Sequence, residues 1–267
     1  MGALDGRVAL ITGGARGQGR SHGLALAAEG ADVVLCDVPA AMPVLTYPLA
    51  GRSDLELSVK QVEATGRRAL GLAVDVRDAA AVEGAVARTV DQFGRLDIVV
   101  ANAGVVSTGP ITDVTDEVWD TLVATNLTGA FHTLRAALPV MREQKYGRIV
   151  VTASMGGRMG IPELGAYNAT KWGVIGLAKS VALEVARDGI TINVVCPTTV
   201  QTPMVQPDPD AEVPDELIRR FARANPIPQA MIQSEDVSRA VLYLVTDPGI
   251  MTGTVMELSL GSSARMH

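Results

Sequence analysis

The chain has 267 residues, with 23 Lys and Arg against 29 Asp and Glu, a formal net charge of −6. That balance offers no basic face for nucleic acid, and two Trp, four Tyr and three Phe are too few for a base-stacking platform. A 48% hydrophobic and 19% charged composition excludes general disorder and suits a packed globule.

The first predicted element is the short apolar run Val8-Ala9-Leu10-Ile11, which ends in a glycine cluster and reads as a strand buried on both faces. Residues 17–30 follow with helical spacing, and 32–36 form the next buried strand. The alternation continues with strands at 69–74, 96–101, 148–152, 190–195 and 254–258. Helices are predicted between them at 54–64, 79–93, 115–143, 167–187 and 235–245. This β-α-β-α order predicts an α/β fold: one doubly wound parallel sheet of about seven strands flanked by helices, in a single domain over 1–267. Two proline-bearing segments break the rhythm. An insertion at about 39–53 holds Pro39, Pro43 and Pro48, and a loop at about 198–225 holds Pro203, Pro207 and Pro209. Both lie at carboxyl ends of strands, the edge where open α/β sheets bind ligands.

Cys36 and Cys196 form no C-x-x-C pair, so neither a disulfide scaffold nor a metal site is expected, and a reducing cytoplasm is the simplest compartment. The opening six residues lack the charged start and apolar run of a signal peptide. The longest uncharged run, 189–207, is interrupted by Asn193, Pro197 and Pro203, so no membrane span is expected.

The turn Thr12-Gly13-Gly14-Ala15-Arg16-Gly17-Gln18-Gly19 joins the first strand to the first helix. Glycines there allow backbone N–H groups to approach a pyrophosphate, and the helix N-terminus favours the negative charge. Asp37 ends the second strand, near the spacing of about 20 residues at which a carboxylate receives adenosine ribose hydroxyls. A carboxylate repels a 2′-phosphate, so NAD is favoured over NADP, although Arg16 pulls the other way.

Threonine followed by G-x-x-x-G-x-G resembles the short-chain dehydrogenase/reductase family, a Rossmann-type fold, and the likeness extends along the whole chain. Asp75-Val76 ends the third strand, where the family contacts adenine. Asn102-Ala103-Gly104 matches the family's N-A-G, Asn126 lies in the following helix, Ser154 ends the fifth strand, and Tyr167-Asn168-Ala169-Thr170-Lys171 matches Y-x-x-x-K. The run Pro197-Thr198-Thr199-Val200-Gln201-Thr202-Pro203-Met204, the turn sequence through His22, and the insertion after Cys36-Asp37-Val38 resemble the carveol-dehydrogenase-like, mycofactocin-associated branch. Thr198 departs from the family's frequent glycine.

Tyr167 and Lys171 stand at i and i+4, on one helical face. A nearby ammonium is expected to lower the phenol from its ordinary value of ~10, so that it can exchange a proton with an alcohol or carbonyl. Ser154 can hydrogen-bond the substrate oxygen. The resemblance implies that Lys171 also holds the nicotinamide ribose, that Asn126 supports a water linking Lys171 to solvent, and that Thr202 and the Val200 backbone, after Pro197, meet the carboxamide. It implies NAD that stays tightly held, with an external redox carrier reoxidising it. It also implies a homotetramer, and two helical stretches rich in Ala130, Ala136, Ala137, Val174, Ala178, Val181 and Ala182 carry more small and apolar surface than one sheet face covers.

The expected activity is NAD-dependent interconversion of a hydrophobic secondary alcohol, carveol-like or otherwise terpenoid or alicyclic, and its ketone. An NADP-dependent 3-oxoacyl thioester reductase and a non-catalytic dinucleotide sensor remain alternatives. The insertion, with Tyr47, reads as a cover over the adenosine end of the cofactor or as a surface loop. Met155, Met159, Met204 and Met231 read equally as substrate-pocket lining or as core. His22 and His132 read as structural or surface residues, and His267 as a tail residue.

Overall fold

The computed structural model describes residues 2–38, 41–206, 218–219, 222 and 225–265. Pro39, Pro207, Pro209 and His267, all weighed above, lie outside them. The strands are β1 (Val8–Thr12), β2 (Asp32–Asp37), β3 (Ala69–Ala73), β4 (Ile98–Ala101), β5 (Gly147–Thr152), β6 (Ile190–Pro197) and β7 (Val255–Leu258). They form one parallel sheet in the order β3-β2-β1-β4-β5-β6-β7. The chain reverses its winding between β1 and β4, and a crevice opens there at the carboxyl edge.

The helices are α1 (Gly17–Ala28), α2 (Arg52–Glu63), α3 (Ala79–Phe93), α4 (Asp116–Leu122), α5 (Gly129–Gln144), α6 (Gly165–Val185) and α7 (Ser234–Thr246). Successive strand residues point to opposite faces. Leu10, Val99, Ile149 and Ile192 therefore enter a core with α3, α5 and α6, and Ile11, Leu35, Val100 and Val195 enter a second core with α1, α2 and α7. Met155 belongs to the first core and Met159 packs against it, so these two methionines are core residues. Of the apolar residues named above for subunit contact, Ala130, Ala137, Val174, Ala178 and Ala182 are buried within the fold, while Ala136 and Val181 are half-buried against the first core. The exposed apolar side chains of α5 and α6 are Phe131, Trp172 and Leu183.

The helix predicted over 115–143 forms as helical backbone from Asp116 to Gln144, but its hydrogen-bond pattern changes midway. Thr115 caps α4, and a π-turn at Val123–Thr128 separates α4 from α5. Hydrophobic spacing does not register the extra residue that such a turn accommodates. Among the described residues, no helix is long and apolar enough to cross a membrane.

His22 is fully buried between α1 and α7, where its Nδ1 meets Ser238 Oγ at 2.8 Å. Burial lowers its pKa to about 3. Between that value and ~6.5 the unfolded chain binds a proton that the folded chain does not, so stability falls as pH drops through this window. His22→Leu should flatten the decline. The check is urea unfolding free energy from pH 6.5 to 4, where the variant's slope should be the shallower.

Candidate active site

The loop from β1 to α1 is shaped by close backbone approach. A side chain at Gly19 would place its Cβ 1.9 Å from the Gly13 carbonyl oxygen, and Gly13 itself takes φ +67°. Thr12 sets the opposite wall, its hydroxyl accepting from the Asn102 and Ala103 amides at 3.0 and 3.1 Å. The Asn102 side chain donates back to the Thr12 and Gly13 carbonyls at 3.1 and 3.3 Å, and accepts from Thr152 Oγ1 at 3.3 Å. The ends of β1, β4 and β5 are thus held around one cavity.

Gly13, Arg16, Gly17, Gln18 and Gly19 line that cavity, as do Asp37, Val38, Asp75 and Val76. Asn102, Ala103, Gly104 and Thr202 complete the set of predicted cofactor residues on its wall. Asp37 accepts from the Ala15 and Val38 amides, each at 2.8 Å. Burial raises its pKa, and those two amides and Arg16 offset the rise. Burial also acts on Asp75, but hydrogen bonds from the Arg77 guanidinium and amide outweigh it and hold the carboxyl low. Arg16 donates to the Pro48 carbonyl of the insertion.

Pro197 and Val200 do not line the cavity. The Val200 side chain is buried in the core, and pairing with Ile232 uses the flanking Thr199 carbonyl and Gln201 amide. Only the Val200 main chain is left to face a ligand. Asn126 also lies behind the wall. Its side chain accepts from the Val105 amide at 2.8 Å and donates to the Val105 carbonyl and Thr170 Oγ1. With both amide hydrogens engaged, the side chain clamps the β4 loop onto α6.

Ser154, Tyr167 and Lys171 form a second group, beyond Gly104. A Cβ at Gly104 would lie 3.4 Å from Lys171 Nζ, so the glycine separates this group from the cavity by backbone alone. Lys171 Nζ donates to the Thr152 carbonyl at 2.9 Å and stands 5.6 Å from the Tyr167 ring centre. The helical spacing predicts a phenol lowered by the ammonium, and the structure corrects this. Burial pushes Tyr167 up to about 12, partly offset by the facing Ser154 hydroxyl, with Tyr47 and Cys196 adding to the rise. Burial lowers Lys171 to about 8. In the protein alone, desolvation therefore outweighs the pairing.

His132 Nδ1 lies 3.0 Å from the Val76 carbonyl and is a structural residue, as is His22. Both cysteines are buried free thiols.

The insertion reaches further than the adenosine end where the sequence places it. Met42 joins Val105, Leu122 and Ala166 in a small core of its own, with Leu45 and Leu49 packed against it. Tyr47 Oη accepts from the Val106 amide at 2.9 Å. The segment thus crosses from the end of β2 to the loop after β4. Met42, Leu49 and Ala50 line the cavity with Tyr47, and so do Val105, Thr125, Pro203 and Met204. No short motif marks the first three, and Thr125 is concealed by the unpredicted π-turn.

The wall fits a dinucleotide. Beyond the glycine cradle, two buried polar atoms on it, Gln18 Oε1 and Thr125 Oγ1, have no hydrogen-bond partner among the described residues.

Comparison with known proteins agrees with this geometry. A family model described as short chain dehydrogenase matches residues 7–213. The chain is 41% identical to the (-)-trans-carveol dehydrogenase of Rhodococcus erythropolis, over 99% of this chain and 100% of that one. It is 41% identical to an uncharacterised NAD-dependent oxidoreductase of Mycobacterium tuberculosis, over 98% of this chain and 97% of that one. The crystal structure of carveol dehydrogenase from Mycobacterium avium in complex with NAD superposes with a TM-score of 0.93 at 38% identity, covering 99% of this chain and 100% of that one. From its glycine turn to its Y-x-x-x-K helix, the chain belongs to the short-chain dehydrogenase/reductase family.

Proposed function

We propose that the chain is an NAD-dependent oxidoreductase that interconverts a hydrophobic secondary alcohol, carveol-like or otherwise terpenoid or alicyclic, and its ketone. The observation that carries this reading is the placement of Ser154, Tyr167 and Lys171 beside a glycine-walled cavity that ends at Asp37. Bound NAD supplies the hydride acceptor, or as NADH the donor. The Asp37 carboxylate has lone pairs left for the ribose hydroxyls. It repels a 2′-phosphate, which favours NAD and weighs against an NADP-dependent thioester reductase. The relatives named for carveol dehydrogenase and for NAD support the same choice.

Tyr167 exchanges the proton of the substrate oxygen while Ser154 hydrogen-bonds that oxygen. A phenol near 12 is protonated at neutral pH and ready to donate to a carbonyl. Lys171, near 8, changes charge close to neutrality and can pass a proton onward. Asn126 keeps the β4 loop and α6 in register around it. Tyr167→Phe keeps the ring and removes the hydroxyl, so turnover should fall roughly 10²–10⁴-fold while NAD affinity holds. Retention of activity within a few-fold of the original would remove Tyr167 from the chemistry. A dinucleotide sensor would show no turnover in either form.

The insertion is the cover of the cofactor, which is tightly held and reoxidised in place by an external redox carrier. Support comes from its two anchors, Arg16 to Pro48 and Tyr47 to Val106, on opposite sides of the cavity. Contacts that must break before release act mainly on the off-rate. Purified protein should carry NAD, and a chain shortened across 41–50 should exchange labelled NAD faster. Equally fast exchange from both forms would reduce the insertion to a surface loop.

The chain works in the cytoplasm as a homotetramer that pairs the α5 and α6 faces. Phe131, Trp172 and Leu183, the last 82% exposed, supply the apolar surface. Sedimentation at micromolar concentration should give a tetramer mass, and a monomer would refute the pairing.

A further inference from the structure

Ser154 opens a single turn of 3₁₀ helix, Met155–Gly157, and that turn sets the place of its hydroxyl. Its Oγ accepts from the Gly156 amide at 3.1 Å, and its carbonyl accepts from the Gly157 amide at 2.8 Å. One such turn has too few internal bonds to hold itself. The residues inside it also give little grip. A Cβ at Gly156 would lie 2.3 Å from the Asn168 side chain, and one at Gly157 would lie 2.7 Å from the Lys171 carbonyl oxygen. Close approach to α6 therefore demands two successive glycines, the residues that lose most freedom on being ordered. Met155 reaches the core, but its flexible unbranched side chain adapts to its surroundings and imposes little direction.

A directional hold comes from the far end of the turn. Arg158 caps it, donating from its amide to the Met155 carbonyl at 2.9 Å and from Nε to Glu257 Oε1 at 2.5 Å. Glu257 lies on the edge strand β7, opposite Cys196 of β6. Val255 packs against the first core, so Glu257, two residues on, points to the same face as α6. The Ser154 amide faces the Cys196 sulfur, and Glu257 and Arg158 act on that thiol with opposite sign. Ser154, Cys196, Glu257 and Arg158 thus close a ring across the ends of β5, β6 and β7. A fully exposed ion pair would contribute little. Here the side chains are only 35% and 20% exposed, so the charge-assisted bond keeps more of its strength.

We propose that the Arg158–Glu257 ion pair positions the Ser154 hydroxyl for the substrate oxygen, by tying the turn that Ser154 begins to β7. This rests on the reading of Ser154 as the hydrogen-bonding partner of that oxygen. Arg158 and Glu257 are not on the cavity wall, so they are positioning residues whose effect passes through the turn.

The test uses Arg158→Met and Glu257→Gln, which remove the pair and keep most of each side chain's shape. The first readout needs no substrate. Amide hydrogen exchange across 156–158, followed by mass spectrometry on NAD-loaded protein, should quicken roughly tenfold in both variants, while β5 keeps its original rate. Unchanged exchange in the turn would overturn the proposal, and faster exchange spread through β5 would replace it with general loosening. The second readout is single-turnover reduction of the bound NAD by carveol. Each variant should slow roughly ten- to a hundredfold with carveol affinity held within about twofold, and Arg158→Lys should lose less than Arg158→Met. Added to Ser154→Ala, Arg158→Met should cost less than about twofold, because the hydroxyl it positions is already gone. An equal loss with and without that hydroxyl would refute action through Ser154. If the original chain does not reduce NAD with carveol, the carveol reading fails, and exchange in the turn decides the role of the pair.

Discussion

The arrangement of the carboxyl edge depends on one hydroxyl. Where the winding reverses, β1 and β4 run side by side and their connections leave in opposite directions, so the backbone amides at the start of the β4 loop have no strand to pair with. Thr12 Oγ1 accepts two of them, from Asn102 and Ala103. Asn102 then returns its amide to the β1 carbonyls and receives Thr152 from β5. Buried backbone groups must find partners, and here one threonine supplies them for two amides, while Asn102 carries the link on to β5. The glycine turn can approach so closely because this framework does not yield.

Desolvation governs the chemical groups more than pairing does. Tyr167, Lys171, Asp37 and Cys196 all shift toward their neutral forms, with burial as the leading cause in each. A region of this kind strengthens whatever charge interaction a ligand brings with it. It also keeps Tyr167 protonated while the protein stands alone. The gap between about 12 for Tyr167 and about 8 for Lys171 sets a phenol that stays protonated beside an amine that titrates near neutrality.

Much of this is legible in the sequence, and for a definite reason. The parallel strands are buried on both faces and read as unbroken apolar runs, and in such a fold the functional residues sit where those runs stop. Asp37 ends a strand, Asp75, Asn102 and Ser154 follow one, and all four can be placed without a structure. The Tyr167/Lys171 pair follows from helical spacing. Their titration does not, because desolvation is a property of the packed fold and not of spacing. The face of Thr125 is hidden because α-helical periodicity fails inside the π-turn. The path of the insertion is hidden because Met42, Tyr47 and Leu49 find their partners more than fifty residues away, on Val105, Val106 and Leu122. Small residues mislead in the opposite sense: Ala137 and Ala182 suit a subunit contact in composition and serve the core in fact.

The bond from Arg16 to the Pro48 carbonyl ties two traits that could otherwise vary separately. One guanidinium stands in the glycine turn and also holds the insertion. A 2′-phosphate and the Pro48 carbonyl would compete for that guanidinium, so a change at this base would reach the insertion as well as the turn.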